Sequence, residues 1–404
     1  MILGVFLAIL ALFVGLDGHV IQQHVSDSTD VNHLDSRAPG MKFVHPGVFV
    51  DRAQLRRMRS MVKEGQQPWS DAYTAMMKHR YAQVTDPKPR KNVKCGAYSK
   101  PDYGCTDERR DAMAAYTNAL AWFTKKDQAK ADVAISIMNA WANTIEEHTG
   151  GNAPLQAAWA ATLWARAGEI IRYSGAGWEK EDIATFSTML KKVYLPIVRD
   201  GSDKPNNWEL VLMEASISIA VFLNHRAVYK SSLERFINSA SYYVYLKSDG
   251  SGPRIPPGMS RETLLNRWWW GQDTFQEDGM VMETCRDLMH SSYGIASISH
   301  VAETVRIQGR DLYSEDTGNR LRYALEFLTK YDNKRGTEQA PDWLCNGNAT
   351  MNIKDMTEPG YSILGDKYEM PNTKKFTAAA RPAHADSLFI AWETLTHATG
   401  EVDL

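Results

Sequence analysis

The chain has 404 residues, 44% of them hydrophobic, so it can bury a large core and is not a disordered protein. Its 46 Lys and Arg against 48 Asp and Glu leave a formal net charge of -2, which excludes a general electrostatic attraction to nucleic acid or to an anionic membrane. An anionic ligand therefore has to be met by a local basic site.

In chain order, Ile2 to Leu16 form one apolar run ending at Asp17-Gly18, too short to span a bilayer but long enough for the core of a signal peptide. Residues 1–17 are expected to be such a signal, making the protein secreted and extracellular with no membrane segment after removal. Residues 18–40 are polar, lack aromatics and read as a flexible N-terminal segment. The remainder, 41–404, reads as one domain. Apolar residues there recur at helical spacing over Arg52 to Lys63, Trp69 to Tyr81, Arg109 to Thr124, Gln128 to Glu147, Leu155 to Tyr173 and Lys180 to Val193. The pattern continues over Trp208 to Leu223, Val228 to Leu246, Met280 to Gln308, Gly318 to Lys330 and His384 to His397. Strand-like alternation is scarce. Helices joined by short connections pack as antiparallel hairpins, and a long series without a fixed repeat period must close on itself, so the expected fold is all-α, an incomplete (α/α) toroid.

The four cysteines, Cys95, Cys105, Cys285 and Cys345, show no metal or redox spacing. Cys95 and Cys105 bracket Gly96, Pro101 and Gly104, so a local disulfide is expected there, with overall connectivity left open. Two stretches rich in Gly, Pro and aromatics, 247–279 and 333–381, interrupt the helices. Loops this long on a rigid scaffold usually carry function.

Three constellations could carry chemistry. On a continuous helix from Met280, Glu283, Arg286, His290, Tyr293 and Ser297 fall on one narrow stripe. A solvated polar face is the ordinary reading, but such a face normally uses Lys, Glu or Gln rather than His and Tyr. Next, Pro205-Asn206-Asn207-Trp208-Glu209 opens an apolar helix. One asparagine suits the cap, and the other amide could donate to a carboxylate at the positive helix end. Glu214, inside the apolar run, reads as a paired structural carboxylate. Finally, Lys247, Arg254, Arg267 and the Trp268-Trp269-Trp270 run combine cations with rings, as acidic-sugar sites do. Trp208, Arg254, Lys247, Arg267, Trp269 and Tyr361 are the candidate substrate contacts.

Asn206-Asn207-Trp208-Glu209, Glu283-Thr284-Cys285-Arg286-Asp287-Leu288-Met289-His290 and Gln308-Gly309-Arg310-Asp311-Leu312-Tyr313 together resemble the alginate-lyase-type superfamily of helical-toroid polysaccharide lyases, over about His45 to His397. That group includes alginate lyases and, among related sequences, glucuronan lyases. Several members use an Asn-Asn-His motif with an Arg and a Tyr seven residues apart. The resemblance assigns these roles to Asn206, Asn207, Arg286 and Tyr293. Trp208 stands where those members have histidine, which makes His290 the substitute base.

The implied reaction is β-elimination on an anionic polyuronate: the C6 carboxylate is neutralised, the C5 proton removed and the C4 oxygen protonated as it leaves. Asn206 or Asn207 with Arg286 suits the first task and Tyr293 suits proton transfer, with Arg286 or a protonated His290 favouring its phenolate. His290 would be a second group if proton and oxygen leave from opposite ring faces. The scheme calls for no cofactor and no metal. Two alternatives compete: a glycoside hydrolase using paired carboxylates from among Asp273, Glu277, Asp278 and Glu283, and a non-catalytic glycan-binding protein.

Overall fold

Local chemistry sets the first helix, α1 (Arg52–Lys63): the Asp51 carboxylate accepts from the Gln54 backbone N–H while the Gln54 side chain accepts from that of Asp51. This reciprocal cap satisfies two end donors that the helix cannot use itself. The helix buries the stripe of Leu55, Met58 and Val62. The computed structural model describes residues 42–349 and 352–400; the expected signal over 1–17 and the flexible segment over 18–40 lie outside the described residues.

After α2 (Trp69–Lys78), a small sheet pairs β1 (Asn92–Cys95) antiparallel with β2 (Asp102–Tyr103), and parallel with β3 (Glu147–Thr149). Cys95 at the end of β1 is disulfide-bonded to Cys105, the first residue of α3 (Cys105–Lys125), as the local spacing suggested. Then follow α4 (Gln128–Ala142), α5 (Ala153–Arg172), α6 (Lys180–Met189), α7 (Leu195–Val198), α8 (Asn207–Phe222) and α9 (Arg226–Tyr243). The second half holds the single turn α10 (Arg261–Thr263), α11 (Leu288–Ile307), α12 (Asp316–Lys330), α13 (Glu358–Leu364), α14 (Pro371–Ala380) and α15 (Glu393–His397).

The fold is all-α, an incomplete (α/α) toroid. Helices α3, α5, α8 and α11 pack on one another in succession, while α4, α9 and α12 flank α3, α8 and α11. The inner helices are buried nearly all round, which their composition allows because apolar and small residues occupy every face. Outer helices such as α12 keep one apolar stripe, including Leu321, Ala324, Leu325 and Leu328.

Buried charge inside this ring is paired. Glu214 of α8 accepts from Arg166 of α5 at 2.8 Å, and His300 of α11 bridges Glu214 at 2.9 Å and Glu393 of α15 at 2.7 Å. Burial opposes the charge on His300, but Glu214 and Glu393 raise its pKa above the ordinary value. Glu214 is thus the structural carboxylate that its apolar setting implied.

Several boundaries differ from expectation. The helix expected from Met280 begins only at Leu288, because Asp287 takes an extended backbone (φ -177°, ψ 155°) and caps α11 through the His290 N–H. Glu283 and Arg286 therefore precede the helix rather than share a stripe with His290, Tyr293 and Ser297, and Ser297 is buried. The fourth helix stops at Ala142, since Glu147–Thr149 is taken up as a strand beside β1. The stretch 333–381 contains α13 and α14, each opened by a proline in its first turn, and the helix expected from His384 is confined to α15.

Candidate active site

The first two turns of four inner helices line a cleft of about 350 Å³. Arg109 comes from α3, Leu155 and Trp159 from α5, Asn207 and Trp208 from α8, and Met289, His290 and Tyr293 from α11. Arg286 and Leu388 close one side. The disulfide loop carries Ala97, Tyr98 and Ser99 to the rim, where Tyr98 is 81% exposed and the Ser99 hydroxyl accepts from Arg109 at 3.1 Å. Unpaired N–H groups and aligned peptide dipoles make such a junction of helix starts favourable for negative charge.

Asp287 does two things for His290. Its carboxylate accepts the His290 backbone N–H at 2.7 Å, capping α11, and receives the Nδ1–H of the imidazole at 2.7 and 2.8 Å. A hydrogen bond at Nδ1 leaves Nε2 as the basic atom of the ring. Burial alone would raise the pKa of Asp287, but hydrogen bonds from His290 and the charges of His290 and Arg286 hold it below the usual carboxylate range.

Tyr293 lies one turn further along α11, its ring centroid 6.4 Å from that of His290. Burial pushes the phenol pKa well up, and the negative charge of Asp386 pushes it further; Arg109 opposes this. Asp386 is half-buried, with Oδ1 held by the N–H groups of Leu388, Phe389 and Ile390 at 2.7, 3.0 and 3.2 Å. Its Oδ2 makes no hydrogen bond of ordinary geometry and interacts electrostatically with the Tyr293 phenol. Lys354 sits 5.9 Å over the Tyr293 ring. The expectation that Arg286 promotes a Tyr293 phenolate is corrected: the environment favours the protonated phenol, because burial opposes the phenolate, an anion stands beside it and the Arg286 guanidinium is engaged elsewhere.

That engagement is with Glu283, a buried carboxylate on which four side chains converge. It accepts from Arg286 Nη1 at 2.9 Å, from Asn207 Nδ2 at 2.9 and 2.8 Å, from the Asn207 backbone N–H at 2.9 Å and from the Tyr243 hydroxyl at 3.2 Å. Asn206 adds a longer contact at 3.4 Å, and its side-chain oxygen caps α8 through the Trp208 N–H at 3.1 Å. Both asparagines therefore have structural work, and the amide expected to point free into the cleft is instead turned onto Glu283. Asn207 and Arg286 still line the cleft.

Trp208 borders the same cleft, with the Lys204 ammonium 3.2 Å from its ring centroid. Arg267 lies over Trp268 at 4.9 Å and lowers the pKa of Lys204 through its charge, after the larger effect of burial, so it stands near this edge without lining the cleft. Other expected contacts are not brought in. Arg254 pairs with Asp249 and Asp316, and Lys247 is exposed at a turn whose N–H donates to Asp278. Tyr361 lines a separate surface cavity with Tyr368 and Lys367. Trp269 is 1% exposed, packed on Phe275 at 5.1 Å, because it anchors its loop to the core; Trp270 is the exposed member of the run. None of Asp273, Glu277, Asp278 and Glu283 lines the cleft, and Glu277 is taken by Lys330 and Tyr331.

Residue patterns missed Arg109, Asp386 and the pairing of Asp287 with His290. Asp287 had a signal, an acidic cap three residues before a histidine; Asp386 had none, because it arrives from about ninety residues further along the chain.

The family model for alginate lyase matches residues 60–338. No curated protein matches this chain. Among solved structures, alginate lyase A1-III from Sphingomonas species A1 superposes with a TM-score of 0.59 at 15% identity, covering 89% of this chain and 98% of that one. An alginate lyase from Bacteroides ovatus gives 0.54 at 13% identity, covering 88% and 100%. A tyrosine-to-phenylalanine variant of A1-III complexed with a tetrasaccharide gives 0.56 at 15%, covering 89% and 98%.

Proposed function

We propose that this chain, which belongs to the alginate lyase family and is a polysaccharide lyase, cleaves a 1,4-linked polymer of D-mannuronate or D-glucuronate by syn β-elimination. One observation carries the choice: His290 and Tyr293 project from successive turns of α11 into one cleft, on the same wall. In mannuronate and glucuronate the C5 proton and the C4 oxygen leave from the same face of the ring, so groups on one wall can serve both. Guluronate would need its two groups on opposite walls.

In this scheme the uronate carboxylate lies toward Arg286 and Arg109 at the positive ends of the inner helices, which makes the C5 proton acidic. His290 Nε2 takes that proton, and Asp287 stabilises the imidazolium that results. The electron pair from C5 forms the C4–C5 double bond, the C4–O bond breaks, and the Tyr293 phenol donates its proton to the departing oxygen. A phenol kept protonated by burial and by Asp386 is suited to that donation. Asn207, held by Glu283, positions the cleft wall. Secretion with loss of residues 1–17 belongs to the same reading, supported by the two disulfides and by a polymeric substrate.

Purified protein incubated with polymannuronate, polyguluronate and glucuronan, followed by ultraviolet absorbance of the unsaturated uronate, tests the assignment. Absorbance should rise with polymannuronate or glucuronan and not with polyguluronate. Cleavage of polyguluronate alone, or products with saturated ends, would overturn it.

A further inference from the structure

We propose that Trp270 is a stacking platform for a sugar ring next to the cleavage point, and that it sets affinity for the polymer rather than the rate of the chemical step. The proposal rests on the polyuronate reading above and adds a binding position to it.

The three consecutive tryptophans have separate fates. Trp269 is buried against Phe275, Trp268 is half-buried beneath Arg267, and Trp270 is 53% exposed. Trp270 also holds a left-handed backbone, φ 56°, followed by Gly271 at φ 82°. A bulky residue pays energy for that conformation, and the penalty would fall for glycine or asparagine. The chain thus keeps a large apolar ring in solvent at a position whose backbone would favour a small one. Single exposed apolar residues are common and need no explanation by themselves; an exposed one held in a strained conformation by a rigid frame does.

That frame leads to the cleft cation. Gln272, two residues on, accepts from the Cys345 N–H at 2.8 Å and donates to the Trp343 carbonyl at 3.1 Å. Cys345 is disulfide-bonded to Cys285, the neighbour of Arg286. The guanidinium carbon of Arg286 lies 5.8 Å from the Trp270 ring centroid. The indole therefore stands beside a guanidinium that lines the cleft, on a backbone tied to it through Gln272 and the Cys285–Cys345 disulfide. A uronate presents an apolar ring face and a carboxylate at one edge, so it can stack on Trp270 while its charge is shared with Arg286. Neutral sugars would use only half of this arrangement.

The test compares wild type, Trp270→Phe and Trp270→Ala, with thermal unfolding as the check on folding. On the polymer that wild type cleaves, Trp270→Ala should raise KM about ten-fold with kcat within about two-fold, and Trp270→Phe should fall between. Calorimetric binding of mannuronate and glucuronate tetrasaccharides should weaken by a similar factor. Wild-type turnover with an unchanged KM and unchanged tetrasaccharide affinity in Trp270→Ala overturns the platform alone. Failure of wild type to bind or cleave any polyuronate overturns it together with the reading beneath it.

Discussion

Asp287→Asn separates the architecture of the cleft from its chemistry. Asparagine caps helices about as well as aspartate, so the loss of stability is confined to the charge at the start of α11, about 0.3–1 kcal/mol. The effect on His290 is larger. The carboxylate that receives the Nδ1–H at 2.7 Å becomes an amide that can donate, which favours the tautomer carrying its proton on Nε2 and leaves nothing there to accept a proton from the sugar. General-base catalysis is worth about 10²–10⁴-fold, so kcat/KM should fall by that factor, about 3–5 kcal/mol in the barrier. Asp287→Ala should lose the same activity and a further ~1 kcal/mol of stability with the cap. Initial rates by ultraviolet absorbance and urea unfolding at one pH supply both readouts. If Asp287→Asn keeps kcat/KM within about three-fold of wild type while folding normally, His290 is not the base and the mechanism fails.

Three other outcomes are expected. Asp386→Asn removes the anion that, with burial, holds the Tyr293 phenol pKa up, so the alkaline limb of the kcat/KM profile should move to lower pH; an unmoved limb would show that Tyr293 ionisation does not govern it. His397 is fully buried, donates from Nε2 to the Phe49 carbonyl, and has its pKa lowered from 6.5 to about 4, chiefly by burial. Its stability contribution is complete above about 6.5 and is lost progressively as pH falls through the folded value, about 3 kcal/mol in all. Urea midpoints from pH 7 to 4 should show this loss in wild type and less of it in His397→Gln. Glu214→Ala leaves Arg166 and His300 without their shared carboxylate and should destabilise by about 3–5 kcal/mol in urea unfolding, whereas a loss below about 1 kcal/mol would show the network to be energetically idle.

The helical fold was legible because its signals are local. Period, caps and breakers acted within a few residues, so α1 falls on the expected span and α5 and α8 begin and end within two residues of theirs. The error at the start of α11 is also local: apolar spacing runs back through Val281, but Asp287 competes for the His290 N–H and ends the helix there.

Sequence by itself indicated the fold class, the Cys95–Cys105 disulfide and the paired state of Glu214, because short spacing and local setting carry each of these, and it put forward His290, Tyr293, Arg286 and Asn207 as candidates through motif resemblance, although helix phase misplaced Arg286. Only the tertiary structure decided which partner each would meet. Asp386 reaches Tyr293 from ninety-three residues away, Glu283 draws in Asn207 and Asn206 across seventy-six and seventy-seven, and one tryptophan of three is left in solvent by the packing of its neighbour. Electrostatic environment depends on distance through space, and chain order does not encode it until the ring of helices has closed.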